Sequence, residues 1–378
     1  MPQFSCVRGL CFCVALTLSI LISVIVIETF NTQETVKKSS RRSRGGCNGY
    51  NVLCDKPYTH VSFATAHNAF ASSSDGFVSA NNRKSMEDAL AHGIRALMLD
   101  LHFFDDTNQE ARLCHGPCEL GSMTMSTAFT IIADFLEQNP NDVVTILWEM
   151  QGGSHVEHLK TLWATAVRES RLLPFLYTHN TGATWPTLSE MIRDNTRLVQ
   201  FSDSGPHHET WDLSMWTYAV ETPWSNDNKE DLDAVCTLNR GSESNPILIV
   251  NHFFILGITT PIVTSAINYN PYLVDRVQRC ERELNKFPNF VVVDFWSYSD
   301  VIQAVECINL HLSVCEASTV IEKHQSTFFI LIGITVCLSC CCMYVWYNYD
   351  SNTKDYEEIP NSEFTYIGTR QAKTLTHV

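Results

Sequence analysis

The chain has 378 residues, with 26 lysines and arginines against 41 acids and a formal net charge of −15 at pH 7. Such an acidic balance argues against a nucleic-acid partner, which would need a basic face to meet phosphates. Fifteen cysteines and two long uncharged runs point instead to membranes and to an oxidising compartment.

Residues 1–28 contain the first of these runs, positions 9 to 27, behind a single arginine, Arg8. It is about long enough to span a bilayer and reads as a signal anchor or a signal peptide, with no small-x-small cleavage site after it. Residues 29–46 form a basic polar linker with Lys37, Lys38, Arg41, Arg42 and Arg44. The positive-inside rule would keep that cluster cytoplasmic, unless its basic run is a protease target. The cysteines argue the other way. Cys47, Cys54, Cys114, Cys118, Cys236, Cys280, Cys307 and Cys315 lie between the two apolar runs, an even number suited to lumenal disulfides. The middle domain is therefore expected to be extracellular or lumenal.

Residues 47–320 have the size of one α/β barrel and show no internal repeat. Cys47 and Cys54 flank a short loop and are expected to pair. The stretch 61–68 reads as a strand, with Val61, Phe63, Thr65 and His67 on one face and Ser62, Ala64, Ala66 and Asn68 on the other. It ends in His67-Asn68 and a Ser/Gly loop. Ser85-Met86-Glu87-Asp88 opens a helix that Gly93 stops. In the next strand, 94–104, Leu97, Leu99, Leu101 and Phe103 form an apolar face for a helix to cover. Ala96, Met98, Asp100 and His102 form the other face. A short strand, 112–116, ends in Cys114-His115-Gly116. Ser126 caps a helix running to Gln138, and the strand 142–149 ends in Glu149. A helix over 154–171, strands at 197–201, 216–220 and 247–252, a helix over 261–285 and a strand at 290–295 complete the domain. Eight strands, several with an intervening helix, predict a TIM-type (β/α)8 barrel, distorted and short of some helices. His207-His208 reads as part of a solvated loop.

The second uncharged run, 328–347, is a predicted transmembrane helix with Tyr344, Trp346 and Tyr347 as an aromatic belt, so two transmembrane helices frame the barrel. Residues 348–378 follow as a cytoplasmic tail. Tyr356-Glu357-Glu358-Ile359 and the terminal Thr376-His377-Val378 offer short adaptor-binding motifs, and Cys340, Cys341 and Cys342 are palmitoylation candidates.

His67, Asp100, His102, His115, Glu149 and Asp294 all fall at the carboxyl ends of predicted strands. In a parallel barrel those ends share one face, so residues distant in sequence converge there. Two imidazoles among acids suit phosphodiester transfer: one takes a proton from the attacking hydroxyl and the other gives one to the leaving oxygen.

The set HN, LDLH, CHG, WE and VDF, in that order, resembles the X-domain-like phosphodiesterases of the phosphatidylinositol-specific phospholipase C superfamily. The likeness is to the secreted, single-barrel branch, through CNG…LC at 47–54, YAVETPW at 218–224, VNHF at 250–253 and PNFVVVDFW at 288–296. It covers most of residues 47–310. The resemblance implies a membrane-anchored phosphodiesterase that cleaves inositol phospholipids or glycosylinositol anchors through a cyclic inositol phosphate. It implies His67 as general base, His115 as general acid and Asp294 as the acid supporting the base. Asn68, Asp100 and Glu149 match three of four calcium ligands, with Met98 at the fourth position. His102 stands where the bacterial branch has an arginine. Calcium or magnesium is therefore expected, with no organic cofactor. The alternative is a His102 held protonated by the two nearby acids. His102, Tyr218 and Trp224 are expected to meet the substrate. Cys114 and Cys118 read as a disulfide pinning the acid's loop, Cys307 and Cys315 as a second local pair, and Cys236 and Cys280 as a long-range one; sequence leaves the connectivity open. Rival readings are a glycerophosphodiesterase, a sphingomyelinase-type enzyme, or a catalytically silent lipid-binding module.

Overall fold

Alternation along a single strand sets the layers of the molecule. In the computed structural model, which describes residues 45–104, 107–205, 209–255 and 260–317, Leu97, Leu99 and Leu101 belong to an outer core that also holds Ile132 and Leu136 of one helix and Trp163 of the next. Ala96 and Met98, on the opposite face, close an inner core with Phe63, Leu147, Phe201 and Phe290. The described residues belong to one unit, Glu34–Ser318.

The elements follow in the order β1 (Phe63–Ala66), α1 (Met86–His92), β2 (Ala96–Phe103), β3 (Ala111–Cys114), β4 (Ser122–Thr124), α2 (Met125–Gln138), β5 (Val144–Gln151), α3 (Val156–Glu169), α4 (Leu188–Arg193) and β6 (Leu198–Ser202). There follow β7 (Asp212–Ser214), α5 (Met215–Tyr218), β8 (Ala219–Glu221), α6 (Lys229–Asp233), β9 (Ile247–His252), α7 (Pro261–Thr264), α8 (Tyr272–Leu284), β10 (Pro288–Val293) and α9 (Val301–Leu310). Eight strands curl in the order β7-β6-β5-β2-β1-β10-β9-β8, and every neighbouring pair is parallel. Among the described residues no pairing joins β7 to β8, so the barrel is open at that seam, where α5 alone connects them. The distorted α/β barrel is thus observed.

Several local expectations hold. The Ser85 side chain accepts from the Asp88 N–H, and Gly93 ends α1 at φ 120°, where a side chain would be strained. The eight cysteines of the described residues form four disulfides, Cys47–Cys54, Cys114–Cys118, Cys236–Cys280 and Cys307–Cys315.

Others are corrected. The segment 112–116 is not a barrel stave: β3 runs antiparallel to β2 and turns into β4. The missing stave is β7, three residues long and so too short to show alternation. Thr124, not Ser126, caps α2 by accepting from the Thr127 N–H. The predicted helix over 261–285 is two helices, because Pro271 lacks an N–H and disfavours helical backbone before it. The expectations for residues 1–28, for the linker up to 44, for 328–347, for 348–378 and for His207-His208 lie outside the described residues. Among the described residues no helix is long and apolar enough to cross a membrane.

Candidate functional site

Strand pairing explains how two distant histidines meet. One edge of β2 is covered by β5 from Ala96 to His102. The other edge is shared: β1 takes Ala96 and Leu97, while β3 takes Leu101 to Phe103 from the opposite direction. His67 follows the end of β1 and His115 follows the end of β3, so the two strands aim them at each other across the middle of β2. The Cys114–Cys118 disulfide closes the loop around His115.

His67 is fixed on three sides. Its backbone N–H donates to the Val293 carbonyl at 3.0 Å, and its ring stacks on Phe253 with centroids 3.9 Å apart. Its Nδ1 donates to Asp294 Oδ1 at 2.7 Å, with the Asp294 side chain fully buried and that of His67 15% exposed. Asn81 Nδ2 donates to the same oxygen at 2.9 Å. Asn82 holds the backbone through the His67 and Asn68 carbonyls, at 2.9 and 3.1 Å. With Nδ1 engaged, His67 presents Nε2 as an acceptor, where the Asn68 amide nitrogen makes a long contact at 3.4 Å. His115 has the same polarity: its Nδ1 donates to the Ser79 carbonyl at 2.8 Å, leaving Nε2 free.

The two imidazoles are tuned in opposite directions. Burial pulls His67 down, but the charge and hydrogen bond of Asp294, backed by Asp100 and Glu149, outweigh it and hold the ring above its ordinary value. Burial lowers His115, and His67 repels its charged form, against the Ser79 hydrogen bond and the more distant Asp294. A stronger base thus faces a stronger acid.

Asp100 and Glu149 are register partners on β2 and β5. Burial, then Glu149 and Asp203, push Asp100 well above the usual carboxylate range, with His67 opposing. Burial likewise raises Glu149, against His67 and Arg240. Among the described residues no three His, Cys, Asp or Glu side chains are arranged to hold a metal, so the predicted ligand set rests on the Asn68 amide and two carboxylates. Asn81 orients that amide. Because Asn81 Nδ2 is committed to Asp294, its Oδ1 accepts from Asn68 Nδ2 at 3.2 Å. The other amide atom of Asn68 then stands 3.1 Å from both Asp100 oxygens as an oxygen; turned round, it would donate to both but leave oxygen against oxygen at Asn81. This oxygen-rich corner fits either a proton on Asp100 or a hard cation, whose preferred donors are such oxygens.

Burial and the nearby His115 lower the His102 imidazole from its ordinary value, a direction that works against the protonated form named as the alternative to a metal. A cation does stand among the acids: Arg240 lies 3.6 Å from Glu149 and is paired with the buried Glu221 at 2.5 Å. Tyr218 is not brought to the site: it precedes β8 and stands edge-on to His179 and Trp185, on the amino-terminal side of that strand. Trp224 follows β8, is 41% exposed and lies 5.9 Å from the Arg240 guanidinium, at the mouth of the site. A cavity of about 550 Å³ between α1 and α2, lined by Arg95, Phe135 and Asp142, contains none of these residues.

Sequence reasoning missed Asn81, Asn82, Asp203, Glu221, Arg240 and Phe253. Asp203 and Glu221 were reachable, since each ends or follows a strand as Glu149 does. Arg240 sits in a loop that carries no signal.

Comparison with known proteins bears on the family and the fold. The family described as PI-PLC X 1 matches residues 53–309. An uncharacterized secreted protein of Arthroderma benhamiae is 28% identical over 71% of this chain and 64% of its own length. A PI-PLC X domain-containing protein 1 of the same fungus is 28% identical over 70% of this chain and 89% of its own. An Arabidopsis thaliana PI-PLC X domain-containing protein is 26% identical, over 66% and 61%. The chain thus spans less than two thirds of the first and third of these relatives. Among solved structures, the phosphatidylinositol-specific phospholipase C from Listeria monocytogenes is similar at a TM-score of 0.50 and 14% identity, over 72% of this chain and all of that one. A double mutant of the Staphylococcus aureus enzyme also gives 0.50, at 12% identity over 71% and 98%; likeness at such identity speaks to the fold alone. With the family matched over most of its barrel, this chain belongs to the PI-PLC X domain family.

Proposed function

We propose that this protein is a phosphodiesterase that cleaves inositol phospholipids or glycosylinositol anchors. The observation that carries the reading is the His67–Asp294 pair, at 2.7 Å, facing a second imidazole with a free Nε2. In the reaction, His67 Nε2 takes the proton of the inositol 2-hydroxyl as its oxygen attacks phosphorus. The bond from phosphorus to the glycerol oxygen breaks, and His115 Nε2 supplies that oxygen's proton. Diacylglycerol leaves and a 1,2-cyclic inositol phosphate remains. Asp294 keeps His67 in the tautomer that presents Nε2 and favours the imidazolium that forms. Phe253 holds the ring in plane. Asn68, Asp100 and Glu149 would hold a divalent cation, calcium or magnesium, which when bound draws charge off the phosphoryl oxygens.

Lipid as the substrate class is supported by the rim. Val78 and Leu120 are exposed on the loops after β1 and β3 and joined by a 2.8 Å backbone hydrogen bond. Trp224 and Ile255 are exposed on the loops after β8 and β9. Apolar side chains beside a polar site suit a bilayer surface. The four disulfides support an extracellular or lumenal barrel. A substrate panel tests the reading: phosphatidylinositol, a glycosylinositol-anchored protein, glycerophosphoinositol and sphingomyelin, each with wild type, His67→Ala and His115→Ala. Turnover of the first or second, lost in both variants, is expected. Turnover of sphingomyelin or glycerophosphoinositol alone would move the protein to a rival class, and none at all would favour a silent lipid-binding module.

A further inference from the structure

The site gathers five acids, Asp100, Glu149, Asp203, Glu221 and Asp294, and a phosphodiester anion must enter among them. Arg240 is placed to offset that charge. Its Nε and Nη2 grip the two oxygens of Glu221 at 2.5 and 3.2 Å, a fork geometry that fixes the guanidinium plane. Glu221 is itself 1% exposed and tied by Asn239 and Asn251, so the anchor is rigid. From there Nη2 reaches Glu149 at 3.6 Å. The guanidinium packs 4.5 Å from the Trp216 ring and 5.9 Å from that of Trp224, so indoles limit its movement. Nη1 makes no hydrogen bond among the described residues, while the side chain stays 34% exposed. A guanidinium gripped along one edge, with a donor unspent on the other and access to solvent, is a built anion contact.

We propose that Arg240 is a phosphate-binding residue of this site: it neutralises Glu149 at rest and directs its free edge to the substrate's phosphate. The inference rests on the proposed reaction for its substrate, but not for its test. A lysine cannot replace it fully, because one ammonium does not both grip Glu221 through a fork and face a second anion.

Inorganic phosphate is the probe, since its binding needs neither turnover nor an inositol pocket. The full-length protein is titrated by calorimetry as wild type, Arg240→Lys, Arg240→Gln and the double variant Glu221→Gln/Arg240→Gln. The double variant removes both members of the Arg240–Glu221 ion pair and guards against misfolding from an orphaned, buried Glu221. Phosphate binding is expected to weaken at least ~10-fold in Arg240→Gln and in the double variant, and less in Arg240→Lys, as expected for loss of one charge-assisted contact. On phosphatidylinositol the same variants should raise KM more than they lower kcat. Unchanged phosphate affinity in a double variant that melts as the wild type does would overturn the assignment. A wild type that binds phosphate through Arg240 yet cleaves no inositol lipid would strike the proposed reaction and leave the arginine's role standing.

Discussion

Replacing Asp294 with asparagine removes a charge while keeping a shape. Asp294 Oδ1 accepts from both His67 and Asn81, and its Oδ2 is buried with no hydrogen-bond partner among the described residues. An asparagine can present its oxygen at the first position and its amide nitrogen at the second, so the local geometry should persist. What is lost is the attraction between a carboxylate and the imidazolium formed as His67 takes the proton. At ~4 Å and an effective dielectric of ~20 that attraction is about 4 kcal/mol. Each 1.4 kcal/mol is a factor of ten, so the expected loss in kcat/KM is ~10³-fold, within the ~10²–10⁴ range of positioned acid–base groups. Two measurements check it: initial rates on phosphatidylinositol, and NMR titration of the imidazoles. The His67 titration should move down in Asp294→Asn, because Asp294 is the main influence raising it. The sign also appears in stability. His67 titrates above its ordinary 6.5 in the folded protein, so its contribution is fully present below pH 6.5 and fades as pH rises through the folded value. That part of the pH dependence should disappear in the variant. A variant within threefold of wild type, or an unmoved His67 titration, would refute the reasoning.

The pH profile of kcat/KM should be bell-shaped, because His67, which must be neutral to take a proton, titrates above 6.5 and His115, which must be protonated to give one, titrates below it; His115→Ala should abolish the fall at high pH along with most of the rate. Asp100→Asn should raise the melting temperature at neutral pH while lowering activity, because an acid whose folded value is raised destabilises the fold once ionised; a melting temperature that falls counts against the strain described. Calcium or magnesium should raise the melting temperature of the wild type over chelator but leave Asp100→Asn/Glu149→Gln unmoved, and equal shifts in both would exclude that corner as the cation's place. Removing Cys236–Cys280, which closes a loop of 44 residues, should cost about 4 kcal/mol in denaturant unfolding.

What the sequence made legible was whatever depends on a strand's own period. The alternation of Leu97, Leu99 and Leu101 against Met98 and Asp100 gave both the layers and the direction in which the acids point. The same logic put His67, Glu149 and Asp294 on one face. Strand pairing was not legible, because β3 reads identically whether it runs with β2 or against it. Only its partners reveal that His115 descends toward His67 instead of rising beside it. Tyr218 was carried over with the phrase around it, and its position before β8 separates it from Trp224 just six residues later. Arg240 and Asn81 come from irregular segments, where no periodicity marks the residues that turn inward.

The central claim is that this pair of histidines makes a cyclic phosphate. Phosphorus NMR of phosphatidylinositol incubated with the full-length protein tests it most directly, with His67→Ala as control. A 1,2-cyclic inositol phosphate resonance should grow as the diester signal falls, and none should form with the variant. Phosphatidic acid in place of the cyclic product, or an unchanged diester signal with the wild type, would contradict it.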